Sequence, residues 1–165
     1  MTAYLYILSV TKDMPSMGRG KAVAHAAHAA NLFTYEHMVK PLVDGKGVDS
    51  AVLEWHKSAD GFGTTIALDI GTVEVMNAIV DEADKAGFMA DTVRDPTYPY
   101  MVDAELVQLI RPEIHTLDPI RLDSGMYVCH RNQATAAYVF GDKEALALIL
   151  GKFNLLSNDT LPKGR

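Results

Sequence analysis

Ala3 to Val10 is an unbroken apolar and aromatic run rich in β-forming residues, the pattern of a buried strand. The polar stretch "TKDMPSMGRGK" ends it, and an alanine-rich helix is predicted from about Gly20 to about Val39, with Pro41 and the following "DGKG" marking a break. Ala51 to Trp55 fits either a short strand or the end of a helix. "TTIALDI", Thr64 to Ile70, is a clearer strand. In the segment that starts at Gly71 and Thr72, Val75, Met76, Ile79, Val80 and Ala83 recur at helical spacing, and Gly87 stands where a helix would end. "MADTVRD" predicts a third strand with Asp95 as its last residue, because Pro96 favours extended backbone before it.

From Met101 to about Asn132 the periodicity dissolves. "VDAELVQLI" fits one short amphipathic helix, and "RPEIHTLDPIRLDSG" combines two prolines with mixed charge, so this stretch reads as an excursion from the sheet. Regularity returns with the strand "ATAAYVF" and with "GDKEALALILGKF", a helix that Asp142 can cap. Buried strands alternating with apolar-faced helices predict an α/β layer structure on a mixed or parallel sheet.

The chain's 165 residues, 48% of them hydrophobic, suffice for one sizeable core, so a single domain over 1–165 is expected. The net charge of -6 means that a nucleic-acid partner would have to meet a local positive patch, since the global field repels phosphate. Cys129, the only cysteine, cannot form an internal disulfide. "MTAYLYILSV" is too short and too strand-like for a signal peptide or a membrane span, which makes the cytoplasm the expected location, away from any membrane.

Candidate chemistry starts at "MGRGKAVAHAAHAANLF". A strand, a glycine-rich turn and a helix place backbone amides and the positive end of a helix dipole at a sheet edge, a sound place for phosphate or a developing oxyanion. The turn matches neither GxxxxGK[ST] nor GxGxxG, so ATP and NAD have no support, and no cofactor is expected. Gly18 and Gly20 serve either tight turn geometry or close approach of a substrate. Lys21, His25 and His28 form one stripe at helical spacing, while the alanines at 22, 26, 29 and 30 suit packing against the sheet. Lysine there can stabilise negative charge and a histidine can exchange protons, although a solvated lysine beside a packed histidine has the same pattern. His25-x-x-His28 lacks the glutamate of HExxH and any nearby cysteine, and no metal site is expected. Asp95, before the aromatic "PTYPY", is the first-choice carboxylate, and Asp13 a second.

The stretch "KDMPSMGRGKAVAHAAHAA" resembles the signature of the peptidyl-tRNA hydrolases of the archaeal and eukaryotic type. The likeness continues through Trp55, "TTIALDI", the helix ending at Gly87, Asp95 and the final "TAAYVFGDKEALALILGKFNLL", roughly two-thirds of the chain in order. It implies a mixed four-stranded sheet flanked by helices, here with an insertion at about 101–132 before the last strand, often assembled as a homodimer. It also implies hydrolysis of the ester between peptide and tRNA ribose without a metal. Lys21 and Asp95 match the family's active-site lysine and aspartate, Gly18 and Gly20 its turn, and His28 its helix histidine. Where the family usually has glutamine this chain has His25, and four residues beyond Asp95, where a threonine is typical, stands Pro99, with Thr97 two residues away.

The expected reaction is attack of water on the ester carbonyl, with Lys21, the loop amides and the helix dipole stabilising the oxyanion, Asp95 holding Lys21 or water, and His25 as hydrogen-bonding group or base. No nucleophile elbow is present, and Cys129 has no clear histidine partner, which argues against an acyl-enzyme. Contacts to tRNA would come from Lys12, Arg19 and Lys21, with Lys152, Lys163 and Arg165 as additions; Phe62, Tyr98 and Tyr100 could stack on the terminal base, although core or rim packing is the more ordinary role for each. The competing readings are a non-catalytic interaction module on the same fold and a hydrolase of another small acyl ester.

Overall fold

The computed structural model describes residues 2–14, 17–109 and 117–157. The first strand, β1 (Ala3–Val10), is buried from Leu5 onward, as its uninterrupted apolar run requires of a strand covered on both faces. α1 (Arg19–Thr34) follows, then a π-turn over Tyr35–Val39 and α2 (Lys40–Val43), so the helical path passes through Pro41. The helix expected to end near Val39 therefore runs on to Val43, and of the expected break only the "DGKG" part, beginning at Asp44, ends it. Proline has no N–H to offer the carbonyl of His37 and its ring crowds that turn, and the wider π-turn immediately before it, closed by Lys40 N–H donating to the Tyr35 carbonyl, gives the needed room.

Ala51 to Trp55 belongs to a helix, α3 (Ser50–Lys57), because Asp49 caps it by accepting from Ala51 N–H at 2.7 Å. β2 (Thr65–Gly71) leads to α4 (Val73–Lys85), capped by Thr72 and closed at Gly87, whose φ of 84° suits glycine. β3 (Met89–Val102) does not stop at Asp95 but continues through both prolines of "PTYPY". Its place explains this: β3 is the outermost strand of the sheet order β3-β5-β1-β2-β6, where a missing N–H on the open side costs no ladder bond. α5 (Ala104–Leu109), β4 (Leu117–Arg121), β5 (Tyr127–Asp142), α6 (Lys143–Leu150) and β6 (Asn154–Leu155) complete the described elements.

The sheet is mixed and open, with helices flanking it, and it has six strands instead of the expected four. β1 runs parallel to β2 and antiparallel to β5, and the additions are β6, antiparallel to β2, and β4, antiparallel to the start of β5. The stretch expected as an excursion thus contributes β4 and the first part of β5 to the sheet. Pro119 and the register shift between Leu117 and Ile120 keep β4 short and irregular. Such a strand gives little periodic signal.

The chain forms two compact units, Met1–Val93 with Thr135–Arg165, and Arg94–Ala134. In the first, Leu5 and Ile7 of β1, Ala136, Tyr138 and Phe140 of β5, Ala29 and Phe33 of α1, and Val52 and Trp55 of α3 make one core. Phe33 is its centre, with ring centroids 4.8 Å from Phe140 and 5.3 Å from both Trp55 and Tyr138, within the usual range of aromatic pairs. α4 packs on β1, β2 and α6, which leaves β1 with no solvent face. Among the described residues no helix is long and apolar enough to cross a membrane.

Candidate functional site

β1 and β2 are parallel, so their C-terminal ends lie at one edge of the sheet, and the helices that follow them, α1 and α4, begin there. Side chains fasten this edge. The Thr11 hydroxyl donates to Asp69 Oδ1 at 2.7 Å, and the same oxygen accepts from Gly71 N–H at 3.0 Å. The amides of Thr11 and Lys12 donate to the Gly71 carbonyl at 3.0 and 2.7 Å. Asp13, a candidate carboxylate, instead accepts from Val73 N–H at 2.8 Å and so completes the cap of α4. Thr11 and Asp69 carry no motif that marks them; only the parallel pairing of two distant strands brings them together.

The N-cap of α1 is Gly18, without a side-chain cap, and the first bond of the helix runs from Ala22 N–H to the Gly18 carbonyl at 3.0 Å. The amides of Arg19 and Gly20 precede that bond and point out of the helix end. No acidic residue occupies this first turn, which carries Arg19 and Lys21 where the helix dipole alone would favour an anion. The two glycines distinguish between their possible roles. Neither has a positive φ, and no described atom lies within 4 Å of a Cβ built on either. Turn geometry and internal packing therefore do not require glycine here, and what its absence of a side chain leaves is open space against the backbone.

Further along α1, Ala22, His25, Ala29 and Phe33 are buried, whereas Lys21 is partly buried and His28 exposed. The expected separation of a functional stripe from an alanine packing surface is thus corrected. His25, 5% exposed, lies on the sheet-facing side, because it follows Ala22 by three residues and precedes Ala29 by four, the spacings that share one side of a helix. Its ring meets that of His28 edge-on at 5.8 Å. Lys21 and His28 flank it at the rim.

Asp95, Thr97 and Tyr98 belong to the second unit, Arg94–Ala134. Asp95 Oδ1 accepts from both the amide and the hydroxyl of Thr97, at 2.8 and 3.1 Å, a local Asx turn inside β3 that occupies Thr97 as well. Tyr98 is 3% exposed and has no open face for stacking on a base, while Phe62 of the first unit is 81% exposed. Cys129 is a buried free thiol, and burial pushes its pKa up, away from the reactive thiolate. Lys12 lies against Gly71 and Lys152 over the Phe153 ring; Lys163 and Arg165 fall outside the described residues. Among the described residues no three His, Cys, Asp or Glu side chains are grouped so that they could hold a metal.

Two features have no signature in the sequence. A cavity of about 220 Å³, bordered by Tyr4, Glu54, Trp55 and Thr64, opens near the start of β1, the end of the strand opposite the glycine turn. His37, in the π-turn, sets its Nε2 2.9 Å from the hydroxyl of Tyr138, a residue 2% exposed. Burial lowers the pKa of His37, against the opposing pull of Glu36, Asp91 and Asp49, and raises that of Tyr138. This pair lies among core rings and is a structural hydrogen bond. No protein-family model matches the chain, and no curated protein matches it at a significant level.

Proposed function

We propose that the chain hydrolyses the ester joining peptide to tRNA in peptidyl-tRNA, releasing both, by direct attack of water. The observation that supports this reading most is the glycine turn: Gly18 and Gly20 have ordinary backbone angles and open space where side chains would stand, directly in front of a cationic first helical turn. An ester carbonyl brought against that backbone would meet the outward amides of Arg19 and Gly20 and the Lys21 ammonium, which gain strength as its oxygen becomes an oxyanion. The burial of His25 supports a hydrogen-bonding role for it over proton exchange with solvent. The same turn and helix carry the resemblance to peptidyl-tRNA hydrolases.

The test is release of free tRNA from purified peptidyl-tRNA without added metal, wild type against Lys21→Ala. A partly exposed helix lysine contributes little to folding, so the variant should remain folded. Loss of one oxyanion donor should slow single-turnover release at saturating enzyme by about 100-fold or more. Wild-type protein that folds yet neither binds peptidyl-tRNA nor releases tRNA above the uncatalysed rate would overturn the proposal, and would leave another acyl ester or a non-catalytic interaction role.

A further inference from the structure

The second unit concentrates one kind of cation. Arg94, Arg111, Arg121 and Arg131 are four of the chain's six arginines, and the segment from 94 to 134 holds no lysine. Arg111 lies outside the described residues. Arg121 of β4 pairs with Tyr127 of β5, and residues directly opposite in an antiparallel pair share a face. Tyr127, Cys129 and Arg131 alternate along β5 and share it too. Arg131 holds its guanidinium 5.3 Å from the centroid of the Tyr100 ring on β3. One face of this small sheet therefore carries two arginine–tyrosine neighbours with the buried Cys129 between them.

What these arginines lack is an acceptor. Among the described residues neither Arg121 nor Arg131 forms an ion pair, and the ion pairs present are Lys40–Glu36 and Lys46–Asp44. Arg131 Nε is sealed from solvent and has no hydrogen-bond partner there. Nε is out of reach of an external ligand, so this partly buried guanidinium can meet one only through its outer nitrogens, a planar edge stacked on a tyrosine and shaped for an oxyanion of matching geometry. The segment from 94 to 134 also holds six carboxylates; of these, Asp95 accepts from Thr97 N–H, and Asp103 from Leu106 N–H at 2.7 Å as the cap of α5. From Tyr127 to Gly141, β5 contains no acidic residue.

We infer that the Arg121–Arg131–Tyr100 face of the second unit binds backbone phosphates of RNA. Resting on the function proposed above, its ligand is the tRNA portion of the substrate. Arginine provides the phosphate contacts, and the tyrosine rings keep the guanidiniums oriented while offering an apolar edge to ribose and base. Because the chain as a whole is acidic, and the segment from 94 to 134 has six carboxylates against its four arginines, this contact has to work against the repulsion of a polyanion, and binding should be strongly salt-dependent.

The experiment is equilibrium binding of deacylated tRNA to the full chain across a salt series, for wild type, Arg131→Gln, Arg131→Lys and Arg121→Gln, with circular dichroism to verify folding. Deacylated tRNA has no ester, so the measurement is independent of hydrolysis. Arg131→Gln should weaken binding by about tenfold, the size expected for a charge-assisted hydrogen bond. Each glutamine variant should flatten the slope of log affinity against log salt by about 0.7 to 0.9 for every phosphate it no longer neutralises. Arg131→Lys keeps the charge but not the fork, and should recover the slope better than the affinity. Folded glutamine variants with wild-type affinity and slope would overturn the inference even if wild-type hydrolysis is intact. Arginine-dependent tRNA binding without any hydrolysis would instead uphold it and remove the catalytic proposal.

Discussion

Replacing Tyr138 with phenylalanine deletes one hydroxyl from the centre of the first unit and leaves every ring in place. That hydroxyl sits 2.9 Å from His37 Nε2, and the tyrosine is 2% exposed, so water cannot substitute for the bond on the tyrosine side. Phenylalanine needs no such partner, so the penalty falls on His37, which is only partly buried and can turn its nitrogen toward solvent. The cost is therefore that of a net neutral hydrogen bond, about 1 kcal/mol, and not the larger penalty of a fully orphaned group. The ring contact with Phe33 at 5.3 Å is unaffected. For a chain of this size, a destabilisation of about 1 kcal/mol corresponds to a fall in Tm of about 2–4 °C. Urea unfolding at neutral pH should show a lower midpoint at constant m-value. A Tyr138→Phe variant as stable as wild type would show that the bond contributes nothing net; a loss of several kcal/mol would mean that the π-turn depends on it and rearranges.

Acid should act through the same pair. His37 has a folded pKa below its ordinary value, so the unfolded chain takes up its proton first as pH falls, and the stability contributed by neutral His37 is full above about pH 6.5 and declines downward from there through the folded value. Thermal melts of wild type and His37→Gln should therefore converge as pH is lowered from about 7 towards about 5; parallel curves would contradict this assignment. His25→Gln, which restores the residue typical of the resembling family, should keep hydrolysis within about fivefold, whereas a loss of about a hundredfold in a folded variant would make His25 a proton carrier. Asp142 accepts from the amides of Glu144 and Ala145 at 3.1 Å each, so Asp142→Ala should destabilise the chain by about 1 kcal/mol in chemical denaturation. Unchanged stability there would assign the capping of α6 to other contacts, such as Lys143 N–H with the Thr2 carbonyl.

The elements legible in the sequence are those whose signal is local. β1 coincides with its apolar run, and α4 and α6 lie between a capping residue and a glycine, because capping, periodicity and chain reversal are settled within a few residues. The glycine turn and the helix after it are visible for the same reason. What sequence alone could not determine depends on neighbours. The proline-containing extension of β3 is allowed only at a sheet edge, which strand order decides. β4 needs β5 as partner before it is a strand at all. His25, Lys21 and His28 share a helical stripe by spacing, but which of them is buried follows from how α1 is rotated on the sheet, and that rotation is set by Phe33 entering a cluster of rings from α3 and β5. Thr11 and Asp69 likewise become neighbours only through the parallel register of β1 and β2, a pairing between residues 58 positions apart that no local pattern encodes.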